Sequence, residues 1–401
     1  MNIDADTALQ KAQEQRNAGA LDEALRTLRR ATKAHPHHVP LLHALGLELD
    51  RQAHHLRAAQ TLSKAAELAP TAADIVNDLG NALQASRQFE AAAGAYRRAA
   101  DLAPSVAGLR SNIGHVLQML GDQTGARTEF NAALEIDPRS VAAHYQLAVI
   151  TLGEGNPNDA LEHINKCTEV DSYHPEALSL KVILLMQMGH EDEAQSLHNT
   201  EQFLKSQPLE PPAGYANIRE FNRALERYIL DRPLTPDPYL ASTRGGRHGD
   251  DLLWDAKGPA ADLGTMLQRA FGDYINALPV DASHPFMAAS PKRVKLIAQA
   301  NILDSAGYLV DHVHPQAWVS GAYYVRLPRE VNAPRGADDR AGWLRFGALP
   351  EEIASPAPFE STYVQPVEGL LVLFPAYFYH GTVPFRAKKH RMSLGIDAIA
   401  H

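Results

Sequence analysis

The sequence predicts two folds in one chain: an all-α repeat array, then an antiparallel β domain with helices packed outside it. Three observations carry this reading. Small residues recur every 34 positions through the first half. After Ser290 the apolar pattern changes to short β-rich segments separated by loops rich in Pro, Gly and Asp. Finally, only seven of the 26 prolines precede residue 207, and all three tryptophans (Trp254, Trp318 and Trp343) follow it. That shift marks a helical first half and a loop- and strand-rich second half, joined around 205–215.

Composition bounds the function. At roughly 150 residues per domain, 401 residues suggest two or three domains. An apolar fraction of 45% with 21% charged residues is that of an ordinary globular protein able to bury a core. With 38 basic against 47 acidic side chains, the net charge is -9 and the pI near 6.1. No large positive field is available to hold a polyanion, so nucleic acid is not expected as a partner. The single cysteine, Cys167, excludes an internal disulfide framework and any multi-cysteine zinc or iron–sulfur site. Residues 1–19 carry no apolar leader core, and no apolar run approaches the roughly 18 residues of a membrane helix. A cytoplasmic protein with no membrane partner is the expectation.

The repeat is read from columns in register. Pro36, Pro70, Pro104 and Pro138 lie 34 residues apart, and Ala24, Ala58, Ala92, Ala126, Ala160 and Ala194 keep the same period. A second small-residue column runs Ala31, Ala65, Ala99, Ala133 and Cys167. Leu45-Gly46, Leu79-Gly80 and Ile113-Gly114 repeat in phase, followed by Leu147-Ala148. Two antiparallel helices per unit explain all of these. Small residues let the helix axes approach, Leu and Ile fill the groove, and proline falls past the second helix where it cannot continue the hydrogen bonds.

Period, alanine columns and terminal proline resemble the tetratricopeptide repeat (TPR) family. Five units cover about residues 5–172, with a degenerate sixth to about 205. The resemblance implies a superhelix that docks a protein or peptide on its concave face. Asn77, Asn81, Asn112 and His115 lie on first helices and either line that face or are ordinary solvated polar residues. Cys167 stands in a packing column and is expected to be buried structure. The histidines of the run HPHH (35–38), with His43, His54 and His55, sit at a repeat boundary without ligand spacing on one face, so they are expected as exposed polar residues.

In the second half, residues 251–278 have apolar residues at helical spacing. Strands are expected within 294–303, 317–328, 342–347, 368–380 and 391–399. Three features on them could carry chemistry. In an extended segment residues i and i+2 face the same way, so His312 and His314 can point into one cavity. His380 ends a buried strand. Arg391 and Ser393 share a face of the last strand, and the interval 386–389 reads as a hairpin turn bringing His380 and Arg391 to neighbouring strands. Each residue also has a plainer reading, as a satisfied core or surface side chain.

The segments 312–328, 369–385 and 390–398 resemble the Fe(II)- and 2-oxoglutarate-dependent dioxygenases, in particular a bacterial group often fused behind TPR arrays. The resemblance runs from about residue 250 to the end and is loose over 206–250. It implies a double-stranded β-helix (jelly roll) and the division 1–205 repeat array, 206–250 linker and connecting helix, 251–401 oxygenase domain. It also implies His312 and His380 as ligands of Fe(II), with Arg391 and Ser393 gripping the distal carboxylate of 2-oxoglutarate, and O2 as co-reactant. Tyr323 or Tyr324 would add a hydroxyl or pack under the cosubstrate, one of them at most. Trp318, Tyr377 and Phe378 could shape a substrate pocket, with packing in the core as the role of at least one of them.

The family's metal triad is His-x-Asp with a distal His, and here His314 stands at the Asp position. His314 is taken as the third ligand; His314 beside the iron but not bound to it, with water or an outside carboxylate on the iron, or ligation by Asp311, are the alternatives. The implied function is hydroxylation of a protein or peptide side chain captured by the repeats. Oxidation of a small molecule, or a non-catalytic scaffold with a degenerate barrel, are the other readings.

Overall fold

The computed structural model describes residues 4–236, 242–332, 339–348 and 361–400. The chain divides into two compact units, Met1–Ile150 and Thr151–His401.

The first unit is a helical array of the TPR kind, built from antiparallel pairs. Ala5–Asn17 pairs with Leu21–Ala34, Val39–Arg51 with His55–Leu68, Ala73–Ala85 with Phe89–Leu102, and Ala107–Met119 with Gln123–Ile136. The helix Val141–Gly153 follows them in the chain. The alanine columns are where close packing needs them: Ala58, Ala92 and Ala126 are fully buried, as are Ala65, Ala99 and Ala133. Second helices end at Ala34, Leu68, Leu102 and Ile136, each two residues before a proline of the periodic column.

The glycines of the Leu-Gly column have a specific reason to be glycine. A Cβ on Gly46 would lie 2.5 Å from Leu62, on Gly80 2.5 Å from Tyr96, and on Gly114 2.7 Å from Phe130. Leu62, Tyr96 and Phe130 are themselves 34 residues apart, so each pair sets one bulky knob of the second helix into a hole in the first. Three of the boundary histidines are individually satisfied: His38 caps the helix that follows, His43 pairs with Asp78 at 2.7 Å and His55 with Asp50 at 2.8 Å. Polar contacts between successive first helices join Asn112 to Asn77 (3.0 Å) and Gln84 to His115 (2.9 Å), while Asn81 accepts from the Tyr96 hydroxyl (2.8 Å).

The second unit opens with the helices Pro157–Val170, Pro175–Gln187, Glu191–Leu197 and Thr200–Phe203. Ala160, Cys167 and Ala194 are buried in them, at the positions the 34-residue period requires. Among the described residues ten strands follow: β1 (Lys205–Pro208), β2 (Leu234–Pro236), β3 (Thr243–Asp251), β4 (Val294–Leu309), β5 (Val319–Arg326), β6 (Leu344–Phe346), β7 (Thr362–Val364), β8 (Leu370–Pro375), β9 (His380–Thr382) and β10 (Arg391–Ala400). They form an antiparallel seven-stranded sheet, β1-β8-β5-β10-β4-β3-β2, and a three-stranded sheet, β7-β6-β9, consistent with a jelly roll. The stretch 206–250, expected as a linker and connecting helix, carries the helix Ile218–Leu230 and contributes β1, β2 and β3 to the large sheet.

Helices cover the large sheet. Phe221, Leu225 and Ile229 of Ile218–Leu230, and Leu263, Leu267, Phe271 and Tyr274 of Pro259–Ala277, join one core with β4, β5, β8 and β10. The last repeat helices are tied to the same core. Ser179 donates to the Tyr377 carbonyl (2.5 Å), and the Tyr173 hydroxyl donates to the Trp318 carbonyl (2.5 Å).

The expected hairpin between His380 and Arg391 does not form. Strand β9 belongs to the small sheet and β10 to the large one. The segment 383–390 therefore carries the chain from one sheet to the other, and the two residues face one cavity from different sheets.

Candidate metal centre

His312 and His314 lie on the irregular segment between β4 and β5, and His380 begins β9. Backbone bonds place all three. His312 and His380 exchange N–H···O=C bonds in an isolated antiparallel bridge, and the His314 N–H donates to the Ala376 carbonyl (3.0 Å). Ring centroids are 4.4 Å apart for His312 and His380, 5.0 Å for His312 and His314, and 5.1 Å for His314 and His380. Ligand-capable nitrogens of the three lie within 4.8 Å of one another, and this is the one such group among the described residues.

The tautomers follow from the partners. His312 Nδ1 lies 2.7 Å from the Val310 carbonyl and His380 Nδ1 2.9 Å from the Phe378 carbonyl. His314 Nδ1 lies 2.9 Å from an Asp397 carboxylate oxygen. A carbonyl or carboxylate oxygen here accepts, so each Nδ1 donates, and each neutral ring is left with a lone pair on Nε2. Two of those lone pairs, on His314 and His380, are only 3.3 Å apart. A cation between them satisfies both, which fits the donor set to a divalent metal.

Electrostatics keeps His312 and His380 neutral and so ready to bind. Burial, then the neighbouring His314, pushes His312 down to about 3. His380 is held well below the ordinary histidine range by burial, reinforced by His312 and His314.

Asp311 points elsewhere. Its carboxylate pairs with Arg345, and its Oδ1 faces Gly381, where a Cβ would stand 2.8 Å away. Burial raises its pKa and Arg345 opposes the rise.

A cavity of about 320 Å³ joins the histidines to Arg391 and Ser393. Along β10 the residues Arg391, Ser393, Gly395 and Asp397 alternate onto one face, and all four line it. Arg391 is 1% exposed and donates from Nη1 to the Ser393 hydroxyl (2.9 Å), with its guanidinium carbon 5.1 Å from the Tyr324 ring centroid. Its Nε is buried without a hydrogen-bond partner. Burial lowers its pKa, with Tyr324 acting the other way. A buried guanidinium with no carboxylate beside it among the described residues is a receptor for one, so the residues fit a dicarboxylate cosubstrate.

Of the tyrosine pair, Tyr324 packs under Arg391, whereas Tyr323 is turned away and donates its hydroxyl to Asn222 (2.6 Å). Trp318 and Tyr377 do not line this cavity and pack in the core, the other role expected for these aromatics. Trp318 stacks on Phe286 (centroids 4.8 Å) and donates to its carbonyl, and the Tyr377 hydroxyl donates to the Leu197 carbonyl. Phe378 stacks on His198 (4.1 Å). All three aromatics are consumed by packing the last repeat helices and the 285–288 turn against the barrel.

Sequence reading missed two polar contributors. Asn301 of β4 lines the cavity with its Oδ1 fixed by Thr243 and His248, both at 3.1 Å. Asp397 reaches His314. Its signal was the alternation itself, because 391, 393 and 397 share one face of β10.

Fold and site together define a TPR-type helical array joined to a jelly roll with a three-histidine centre. Residues 299–397 match the family described as "Putative 2OG-Fe(II) oxygenase", and residues 107–140 match the tetratricopeptide repeat. The oxygenase match contains every site residue named above from Asn301 to Asp397. Among solved structures, the chain resembles MamA (25% identity, 40% of this chain and 94% of that chain, TM-score 0.38). It also resembles pilF of Pseudomonas aeruginosa (18%, 49% and 90%, TM-score 0.44) and a tetratricopeptide repeat protein of Parabacteroides merdae (18%, 49% and 78%, TM-score 0.43). Among curated proteins, no relative matches the chain significantly.

Proposed function

We propose that the chain is an Fe(II)- and 2-oxoglutarate-dependent dioxygenase, with the metal on His312, His314 and His380 and the cosubstrate carboxylate on Arg391 and Ser393. One observation carries the reading: three histidines whose ligand-capable nitrogens lie within 4.8 Å of one another, in the same cavity as a buried arginine whose Nε has no partner. Iron bound there would supply the activation of O2 that oxidative decarboxylation of 2-oxoglutarate to succinate requires.

The chain's own residues bind and orient. Val310, Phe378 and Asp397 hold the imidazole protons on Nδ1, so the rings present lone pairs without rotating or losing protons on binding. Arg391 grips the far carboxylate with a planar fork, and Ser393 fixes that fork. Tyr324 closes the floor beneath it; burial pushes its phenol up to about 12, against the Arg391 charge, so it stays neutral. Shape and desolvation in this pocket exclude water from the cosubstrate's charged end.

The substrate in this reading is a protein or peptide side chain captured by the repeats, which raise its concentration at the barrel. The repeat match supports that part. The proposed organisation is 1–205 for capture, 206–250 as a connection that also supplies β1, β2 and β3 to the barrel, and 251–401 for chemistry, in the cytoplasm. No helix among the described residues is long and apolar enough to cross a membrane, and the single cysteine is buried.

Anaerobic titration of metal-stripped protein with Fe(II) and 2-oxoglutarate tests the reading. A visible metal-to-ligand band saturating at one equivalent, and lost in His312→Ala, is expected. No band and no tight metal would leave the helical array as the working part. Gain of one oxygen atom on a captured polypeptide, dependent on 2-oxoglutarate, tests the substrate class.

A further inference from the structure

Three neutral imidazoles leave a divalent metal without the charge compensation that a carboxylate ligand gives. The structure places one carboxylate a single imidazole away. Asp397 stands on β10 opposite Ser320 of β5, and the fully buried Ser320 hydroxyl donates to its Oδ1 (2.7 Å). His314 Nδ1 lies 2.8 Å from one carboxylate oxygen and 2.9 Å from the other. The other two rings, His312 and His380, donate to neutral backbone carbonyls. Of the three histidines, therefore, only His314 is backed by a negative charge.

We infer that Asp397 is a positioning residue of the metal centre: it fixes the tautomer and orientation of His314 and supplies, through that ring, the negative charge the ligand set lacks. The inference rests on the metal reading above. Its physical basis is the polarity of the Nδ1–H bond. Drawing electron density from Nε2 toward a cation makes the Nδ1 proton more acidic, and a carboxylate rewards that more than a carbonyl does. The proton remains on Nδ1 throughout.

The geometry also explains why the aspartate must be anchored. The His314 backbone is pinned by the Ala376 carbonyl, so the ring's remaining freedom is rotation about its side-chain bonds. Ser320 holds Asp397, and Asp397 holds the ring. Gly395, two residues earlier on the same face, leaves the cavity open beside this chain of contacts.

The test is Co(II) affinity of the full-length protein, by competition with a chelating dye, for wild type, Asp397→Asn and Asp397→Ala. Asparagine can still accept from His314 and donate to Ser320, so it removes the charge and keeps the shape. A fall in affinity of at least several-fold in Asp397→Asn, and about 10–100-fold in Asp397→Ala, is expected. The Co(II) visible bands should move in Asp397→Asn, a change that loss of fold stability alone does not produce.

Histidine side-chain 15N NMR of the metal-free protein gives a second readout. Wild-type His314 should carry its proton on Nδ1, and Asp397→Ala should admit the other tautomer. Variants that bind Co(II) within twofold of wild type, or a wild-type His314 without the Nδ1 proton, overturn the inference while the metal reading stands. A wild-type protein that binds no Co(II) overturns both.

Discussion

His312 and His380 donate backbone N–H bonds to each other's carbonyls, at 3.0 and 3.1 Å, across a bridge one residue pair long. The two ligands thus come from different segments but share a backbone clamp. The clamp is stiffened by what flanks it, since Asp311 beside His312 faces Gly381 beside His380 and pairs with Arg345 of β6. The backbone positions of His312 and His380 are consequently fixed by each other's main chain.

Gly381→Ala should disturb both stability and metal binding. The new Cβ would meet Asp311 Oδ1 at 2.8 Å and the Leu309 carbonyl at 2.9 Å, and the latter is backbone with little room to yield. Overpacking of this kind costs about 1–3 kcal/mol. Thermal denaturation and Co(II) titration should both report a loss. An alanine variant equal to wild type in both would show that the clamp is slack.

Arg391 presents a trade between stability and function. Its guanidinium is fully buried and faces no carboxylate among the described residues, which is costly in the cosubstrate-free protein. Arg391→Met, similar in length and uncharged, should raise the melting temperature of the apo protein, by about 1 kcal/mol or more of stability. The same change should abolish 2-oxoglutarate binding while Fe(II) or Co(II) binding persists. Loss of metal and cosubstrate together, in a folded variant, would mean that Arg391 shapes the cavity as a whole.

Cys167 fills the packing column and is fully buried; burial pushes its thiol up to about 12. At pH 8 the folded protein therefore holds almost no thiolate there, and the thiolate is the reactive species. A disulfide reagent should leave native protein unmodified and titrate one thiol after denaturation. Rapid modification of the native state would place the residue outside the core.

How much of this was legible in the sequence differs by element. The repeat was, because each column repeats one physical requirement in register: Ala58, Ala92 and Ala126 are buried where the period puts them. The three histidines and Arg391 were brought to one cavity as expected, by alternation on β10 and by the short spacing of His312 and His314. The hairpin was not, because nothing local distinguishes a turn within one sheet from a crossing between two. Which of Trp318 and Tyr377 would pack in the core was not legible, for a related reason. Their partners, Phe286 and Leu197, are distant in sequence, and a buried aromatic next to a motif looks the same whether it faces a pocket or a core. Asp397 was overlooked because its role depends on His314, 83 residues away.

The repeat array offers a contrast between two glycines that tests the knob-and-hole account directly. At Gly80 an added Cβ would sit 2.5 Å from the ring of Tyr96, which is itself buried and bonded through its hydroxyl to Asn81 and Gln84. The ring cannot retreat without breaking those bonds, so Gly80→Ala should destabilise the protein by about 1–3 kcal/mol. At Gly94, on the exposed side of Phe89–Leu102, a Cβ meets nothing within 4 Å. There the helix gains only the lower backbone entropy of alanine, so Gly94→Ala should stabilise by about 0.5–1 kcal/mol. Denaturant melts of the two variants should move in opposite directions from wild type. If both stabilise, Tyr96 has room that the packing does not show, and the glycine column has some other cause.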